Sequence, residues 1–546
     1  MKPKLVPGSR AIALPDTKAV RRVFPQAKTV PKYKGKAVFV RHGVPETRLL
    51  RRLGAKIPCP MEKHYPWKRP PWEAQQITSS MLVMYRRGYV LNDMGTGKTY
   101  SALAGADFLM QEREVRSALI VAPVSTLVET WRNEILRWFP HRSCAILHAS
   151  AAARRKELLA MPNDFYIVNH HGVEVLHEEL AARPDIDLII LDELSIYRNG
   201  RAGRDADGKI RHRLYYYAKQ LVKGRKYVWG MTGAVCPNAP TDAWAQAQLI
   251  TPNRITPWWT EFRDKTMIRI DQHLWVDKDN AMDTVYNTLQ PSVRFKLEDC
   301  QDLPPVVLET RDVPMSKHQQ KAYSDIMLSL NRNIVISNSS GKPEYVDSVN
   351  EAVQINKLLQ IACGWIYGDK HQNIDLAPAG RLNELLAVIN EAPAKVIVFA
   401  PFKNAIEEMA KFLQKKKVDC AMIHSGVSRP ARDKIFSAFQ HTPKYRVIVA
   451  QPGTMSHGLT LTAASIIVWY APIHSLDTYI QANRRITRPG QQHGQVIIHL
   501  KGSPVEARIY SKLQKQERKL NILLDLFESN PTTGEHYGRS GISAAA

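Results

Sequence analysis

Ten short runs made almost wholly of apolar residues, gathered in two sets of five, constrain this chain more than any other feature. The first set is Gly88–Leu91, Ala118–Ala122, Tyr166–Val168, Asp187–Leu191 and Tyr227–Trp229. The second is Val396–Phe399, Ala421–Ile423, Val447–Ala450, Ile466–Trp469 and Val496–Leu500. Runs this short suit strands, and the stretches between them are long enough for helices. A strand apolar on both faces needs cover on both faces, so strands interleaved with helices predict parallel sheets. Two such sets predict two α/β lobes. The expected organisation is a basic, Pro-rich N-terminal extension over 1–70 and a first lobe over 71–300 with a helical insertion at about 255–300. A second lobe over 301–525 and a tail over 526–546 complete it. Ten prolines and no long periodic pattern make residues 1–70 read as an arm or a small irregular subdomain. Trp258 and Trp259, in the insertion, read as buried aromatics, with base stacking as the alternative.

The segment Asn92-Asp-Met94-Gly95-Thr96-Gly97-Lys98-Thr99 directly follows the first of these strands. It has P-loop spacing, with Asn92 in place of the first glycine. Glycines let backbone N–H groups close around phosphate oxygens, and the helix expected over Tyr100–Met110 adds its positive dipole end. Lys98 is placed to reach the β- and γ-phosphates and Thr99 to ligate Mg²⁺. A second signal is Asp192-Glu193, at the end of an apolar strand, where α/β sheets bind ligands. Asp192 is the candidate Mg²⁺ carboxylate and Glu193 the candidate base for an attacking water. Taken alone, such a pair also reads as a helix cap. A third signal is Gln481 to Gln491, where Arg485 and Arg488 share a face if the segment is helical. They are candidates for stabilising transferred phosphoryl charge, or else part of a basic surface.

Charge supplies an independent argument. The chain holds 76 Lys and Arg against 51 Asp and Glu, a formal charge of +25, of which residues 1–70 contribute +15. An excess of this size points to a polyanion, and nucleic acid is the commonest. No run of 18 apolar residues is present, which excludes a membrane-spanning helix, and six scattered cysteines without a Cys-x-x-Cys pair argue against zinc and disulfides. No membrane partner and a cytoplasmic location (bacterial nucleoid or phage-infected host) are expected.

The order of motifs from residue 71 to 525 resembles the Swi/Snf-type branch of the superfamily-two helicase-like ATPases, in its short phage and bacterial form. Pro71-Trp-Glu-Ala-Gln75, Val121-Ala-Pro123-Val-Ser125-Thr126-Leu127 with Trp131 and Glu134, and Asp192-Glu193-Leu-Ser-Ile-Tyr-Arg198-Asn199 carry the resemblance in the first lobe, with Met231-Thr232-Gly233-Ala-Val-Cys-Pro-Asn238. Gly458-Leu-Thr-Leu461, Gln481–Gln491 and Ser503-Pro-Val-Glu506 carry it in the second. The resemblance implies two tandem RecA-like lobes of the P-loop NTPase type. It also implies ATP and Mg²⁺ as cofactors, and an ATP-driven motor on nucleic acid, foremost duplex DNA. By the same resemblance Gln75 reads adenine, Met94 to Thr99 and Gln481 hold the nucleotide, and Thr232, Gly233 and Gly458 couple the lobes. Ser125, Thr126, Arg198, Arg201, Arg204, Ser456 and His457 become candidates for the nucleic-acid backbone, the arginine run reading equally as a solvated loop. The chain departs from the pattern at Leu194-Ser195, Ala234-Val235, Met455-Ser456 and Thr460; none of these departures removes a group expected to touch the nucleotide's phosphates or the metal, and they bear on coupling and nucleic-acid contacts more than on hydrolysis. The alternatives are an RNA remodeller and a scaffold that binds ATP without hydrolysing it. The N-terminal extension is expected to grip duplex or to receive a protein partner.

Overall fold

The computed structural model describes residues 3–200, 210, 212–272, 274–328, 334–337, 343–346, 351–368, 372–455 and 460–528. The chain divides into two compact units, one built from residues up to Cys300 together with the chain from Ile522, the other from Gln301–Asn521.

The first unit begins with a small three-stranded antiparallel sheet, β1 (Lys4–Leu5), β2 (Ala11–Pro15) and β3 (Ala37–Arg41), in that spatial order. With it fold three short helices, α1 (Lys18–Val23), α2 (Val44–Arg52) and α3 (Pro60–His64). Along β2 burial alternates, Ile12 and Leu14 pointing inward, and Val38 and Val40 of β3 meet them. Phe24, Leu50 and Ile57 close this core. The stretch read as an arm or irregular subdomain is therefore a folded module. Its strands are so short that only two inward residues of each mark the alternation.

Helix α4 (Glu73–Met84) leads into β4 (Arg87–Val90), and α5 (Lys98–Gln111) follows. The later strands are β5 (Ser117–Ala122), β6 (Cys144–Leu147), β7 (Phe165–Asn169), β8 (Ile186–Asp192) and β9 (Tyr227–Met231). A hairpin of β10 (Met267–Arg269) and β11 (Trp275–Asp277) precedes β12 (Ser292–Val293). The main sheet has the order β12-β4-β9-β8-β5-β7-β6, every pairing parallel. Alternate residues such as Ile120, Ile167, Ile190 and Trp229 enter one core with Leu103 and Leu109 of α5. Their neighbours Leu119, Val168, Ile189 and Val228 are equally buried on the opposite face. That two-sided burial is why these strands read as continuous apolar runs. Trp258 differs from its reading: it is 69% exposed rather than buried, and the hairpin beyond it also exposes Ile268, Ile270, Leu274 and Val276.

The second unit contains β13 (Val306–Asp312), two hairpins, β14 (Ile334–Ser337) with β15 (Pro343–Val346) and β16 (Trp365–Tyr367) with β17 (Asn373–Asp375), and then β18 (Lys395–Phe399). β19 (Cys420–Ile423), β20 (Val447–Ala450), β21 (Ala464–Trp469) and β22 (Gln495–Lys501) follow. Its sheet is again wholly parallel, in the order β13-β22-β21-β18-β20-β19. Both units are thus open α/β sheets, as expected. β6, β12 and β13, with their weaker apolar character or shortness, were not among the anticipated strands.

Candidate functional site

Register places three strand ends of the first unit side by side. Val90, the last residue of β4, pairs with Met231 at the end of β9, and Met231 pairs with Asp192 at the end of β8. With strands about 4.8 Å apart, the loops leaving β4, β9 and β8 emerge within about 10 Å of one another. They carry Lys98, Thr232 with Gly233, and Asp192 with Glu193, respectively.

The loop after β4 is held from beneath. Asn92, standing where a glycine was expected, donates from Nδ2 to Thr78 Oγ1 (2.9 Å) and accepts at Oδ1 from the Phe295 N–H (3.1 Å). Asp93 pairs with the buried Arg294 guanidinium at 2.9 Å and accepts from the Leu297 N–H. Arg294 also donates to Leu91 O at 2.9 Å. Gly95 and Gly97 take φ of +89° and +79°, a left-handed conformation that glycine adopts without steric cost. At Gly97 a side chain would also collide with the Gln75 amide, which is buried and donates to Thr96 O at 3.2 Å. Lys98 opens α5 and folds its ammonium back onto Asn92 O (2.8 Å) and Asp93 O (3.3 Å). Gly233 lies against this loop, a Cβ there falling 3.9 Å from Lys98 Nζ and 4.0 Å from Met94 Cγ. Thr232 donates its N–H to Val90 O at 3.0 Å and accepts at Oγ1 from the Ala234 N–H at 3.2 Å.

Asp192 is half-buried, and burial raises its carboxyl above the usual range against the opposing pull of a hydrogen bond from Trp131 and the Lys98 charge. The Trp131 indole N–H donates to Asp192 Oδ2 at 3.1 Å. Trp131 is fully buried and sits in a π-helical turn, Leu127–Arg132, a rare geometry that is frequent at functional sites. Glu193 adopts φ +52°, ψ +56°. A non-glycine residue there carries strain on the order of 1–3 kcal/mol, and such strain clusters where a side chain must point in one direction. Thr99 and Asp192 are hard oxygen donors, the kind Mg²⁺ takes alongside phosphate oxygens and waters. Among the described residues no cluster of three or more His, Cys, Asp or Glu offers a cage made by protein alone.

The candidates for the nucleic-acid backbone are placed separately. Ser125 and Thr126 form a 3-10 turn after β5. Ser125 Oγ is buried without a hydrogen-bond partner among the described residues, and Thr126 Oγ1 donates to Pro123 O. Arg198 donates to Ser195 O at 3.1 Å, and its charge helps offset the raising effect of burial on Asp242. Arg201, Arg204, Ser456, His457 and Gly458 lie outside the described residues.

In the second unit the arginine motif differs from the conditional reading of a helix. The helix Leu476–Asn483 ends before it, and Arg485 and Arg488 lie in successive turns that run into Pro489-Gly490. The turns are braced from inside. Gln491 donates to Ala464 O (2.9 Å) and Ile486 O (3.1 Å), and Leu461 N–H donates to Arg485 O (3.0 Å). Arg485 is buried and Arg488 half-buried; the buried Gln481 amide donates to Asp477 at 3.0 Å. Sequence reasoning missed Arg294, Asn92 as a brace and the partner of Trp131. Only the Trp131 spacing within its motif hinted at any of them.

The family description "SNF2-related domain" matches residues 76–363, and "Helicase conserved C-terminal domain" matches residues 380–490. A protein of Acyrthosiphon pisum secondary endosymbiont phage 1 is 24% identical over 458 residues, covering 79% of this chain and 92% of its own. An uncharacterized ATP-dependent helicase of Mycoplasma genitalium is 22% identical, with 79% and 40% covered. The human SWI/SNF-related matrix-associated actin-dependent regulator of chromatin subfamily A member 1 is 21% identical, with 80% and 42% covered. The chain thus spans nearly all of the phage relative and about two-fifths of the other two. Among solved structures, the Sulfolobus solfataricus SWI2/SNF2 ATPase core in complex with dsDNA aligns with a TM-score of 0.39 at 19% identity, covering 85% of this chain and 95% of that one.

Proposed function

The chain belongs to the SNF2-related family, its matched domain taking in more than half of the residues, and on that premise we propose an ATP-driven motor that moves on duplex DNA. The observation that supports this reading best is the alignment of three strand ends carrying Lys98, Thr232-Gly233 and Asp192-Glu193. Lys98 exchanges the loop carbonyls for the β- and γ-phosphates, and the backbone N–H groups of Gly95 to Lys98 close around phosphate oxygens. Thr99 and Asp192 hold Mg²⁺, which neutralises phosphate charge when bound. Glu193 orients the attacking water and takes its proton. Gly233, next to Lys98, ties the state of the loop to β9. Arg485 and Arg488 stabilise charge on the transferred phosphoryl group, and Gln75 reads adenine by exchanging Thr96 O for the base. Ser125, Thr126 and Arg198 hold the phosphate backbone, giving affinity that is salt-sensitive and largely independent of sequence.

The test is steady-state ATP hydrolysis with duplex DNA, single-stranded DNA, RNA or no nucleic acid. Strong stimulation by duplex is the expected result. Stimulation by RNA alone would replace the substrate, and absence of hydrolysis under every condition would leave only an ATP-binding scaffold. Lys98→Ala is expected to reduce turnover at least a hundredfold while leaving the thermal unfolding profile unchanged.

A further inference from the structure

Within the connection from β2 to β3, the twenty residues 17–36 that follow Asp16 contain seven Lys and Arg and no further acid. In a free tail this would be solvated charge. Here the segment is tied down at every stage. Thr17 caps α1 by accepting from the Val20 N–H at 3.2 Å, and Phe24 is buried in the module's core. Lys28 and Phe39 exchange both backbone hydrogen bonds at 2.8 Å, and the Asp16 N–H reaches Lys36 O. Arg21 is bound to Asp16 by a fork of two hydrogen bonds, 2.6 and 2.9 Å. The other six, Lys18, Arg22, Lys28, Lys32, Lys34 and Lys36, are all exposed.

The module bearing them is itself clamped to the nucleotide-binding sheet. Arg10 and Arg41 both pair with Glu112, the residue that ends α5, at 2.7 and 2.9 Å. Arg48 donates to Val83 O, Met84 O and the Tyr227 hydroxyl, the last two at 2.9 Å. The module that carries the basic segment is therefore fixed against α5 and β9.

We propose that this face is a second duplex-DNA contact, one that grips phosphates without reading bases; it rests on the DNA reading above. Five of the six exposed cations are lysines, point charges suited to phosphate rather than to bidentate base recognition. Phe24, the one aromatic of 17–36 whose side chain is described, is buried in the module's core and so does not offer a surface for base stacking. The large apolar side chains it exposes are Val23 and Val30, 42% and 41% accessible, too little for the aromatic or aliphatic anchor of a protein interface.

The experiment uses the full chain with Lys18→Gln, Arg22→Gln, Lys32→Gln, Lys34→Gln and Lys36→Gln combined. Binding to fluorescent duplex DNA is measured across a salt series, together with ATP hydrolysis. Duplex affinity is expected to fall about tenfold or more, and the log–log salt dependence to flatten by about 0.9 for each phosphate that the variant no longer neutralises. Hydrolysis without DNA and the maximum rate at saturating DNA stay as they were, while half-stimulation needs more DNA. A control replacing the exposed Lys411, Lys415, Lys416 and Lys417 of the second unit by Gln keeps the original affinity. Unchanged affinity and slope in the first variant, with stimulation by duplex intact, would overturn the grip and spare the DNA reading. Equal weakening in the control would reduce the effect to bulk charge and overturn it as well. A parent protein that binds no duplex at all would overturn both readings.

Discussion

The two units build nearly the same sheet and finish its carboxyl edge in opposite ways. In the first, the strand ends lead to a loop with two left-handed glycines, a strained Glu193 and the half-buried Asp192 carboxylate, the groups proposed to hold the nucleotide. In the second, the ends of β21 and β22 are sealed. Arg381, 3% exposed, donates to Tyr470 O and to Leu500 O (2.9 Å) and pairs with Glu506, itself fully buried. Glu506 in turn accepts from the N–H groups of Gly502 (3.0 Å) and Ser503 (3.1 Å). Ser503-Pro-Val-Glu506, in sequence only a trailing motif, is therefore a structural plug. An α/β edge left open costs stability and supports chemistry; one closed by an ion pair supports the lobe.

This contrast is broken most forcefully at Glu193. Glu193→Gln should lower ATP turnover about 10²–10⁴-fold, the usual contribution of a general base, with unfolding unchanged in denaturant. Loss of stability instead would make Glu193 a structural residue. On the sealed side, Arg381→Met should cost about 3–5 kcal/mol, because it strands a buried Glu506 carboxylate. Adding Glu506→Leu should recover part of that loss, which equilibrium unfolding of the two variants would register.

A smaller effect concerns His499 in β22. It is buried between Tyr479, 2.9 Å from its Nε2, and the stacked ring of Tyr510, and burial pushes it from its ordinary 6.5 down to about 4. Below pH 6.5 the unfolded chain takes up a proton that the folded site refuses. Stability is therefore full above that pH and falls toward pH 4, by about 3 kcal/mol in all. His499→Gln should flatten this slope in unfolding curves recorded at pH 7 and pH 5. The smallest change sharpens the open edge. Trp131→Phe removes one hydrogen bond to Asp192, worth about 1.5–3 kcal/mol to a charged acceptor, and should raise the Mg²⁺ concentration for half-maximal hydrolysis by roughly tenfold.

How much of this was legible in the sequence follows from periodicity and range. Doubly buried strands such as β5, β8 and β20 announce themselves, because nearly every residue is apolar. β2 and β3 hide, since alternation over five residues beside prolines resembles loop. Lys98 and Thr99 stood out by the fixed local spacing that backbone phosphate binding demands, and Asp192 by its place at the end of an apolar strand; the structure sets the ends of β4 and β8 on either side of β9. The braces did not stand out: Asn92 meets Phe295, Asp93 meets Arg294 and Trp131 meets Asp192 across long intervals of chain that no local pattern encodes. Arg485 and Arg488 were singled out by spacing, which did not reveal that the helix stops at Asn483 and leaves them in a turn and a bend.

The helix α5 links two of these themes. Its first residue is Lys98, its cap is Glu112, and on the way the buried Asp107 receives Tyr65, His141 and Arg142. Fourteen residues make a rod about 21 Å long. Tension applied to the N-terminal module through Arg10 and Arg41 arrives at one tip of that rod, and the other tip is the glycine loop proposed to cradle phosphate. On the proposed reading, mechanical load and fuel occupancy would share a single beam, and resisting the one should be felt as a change in the other.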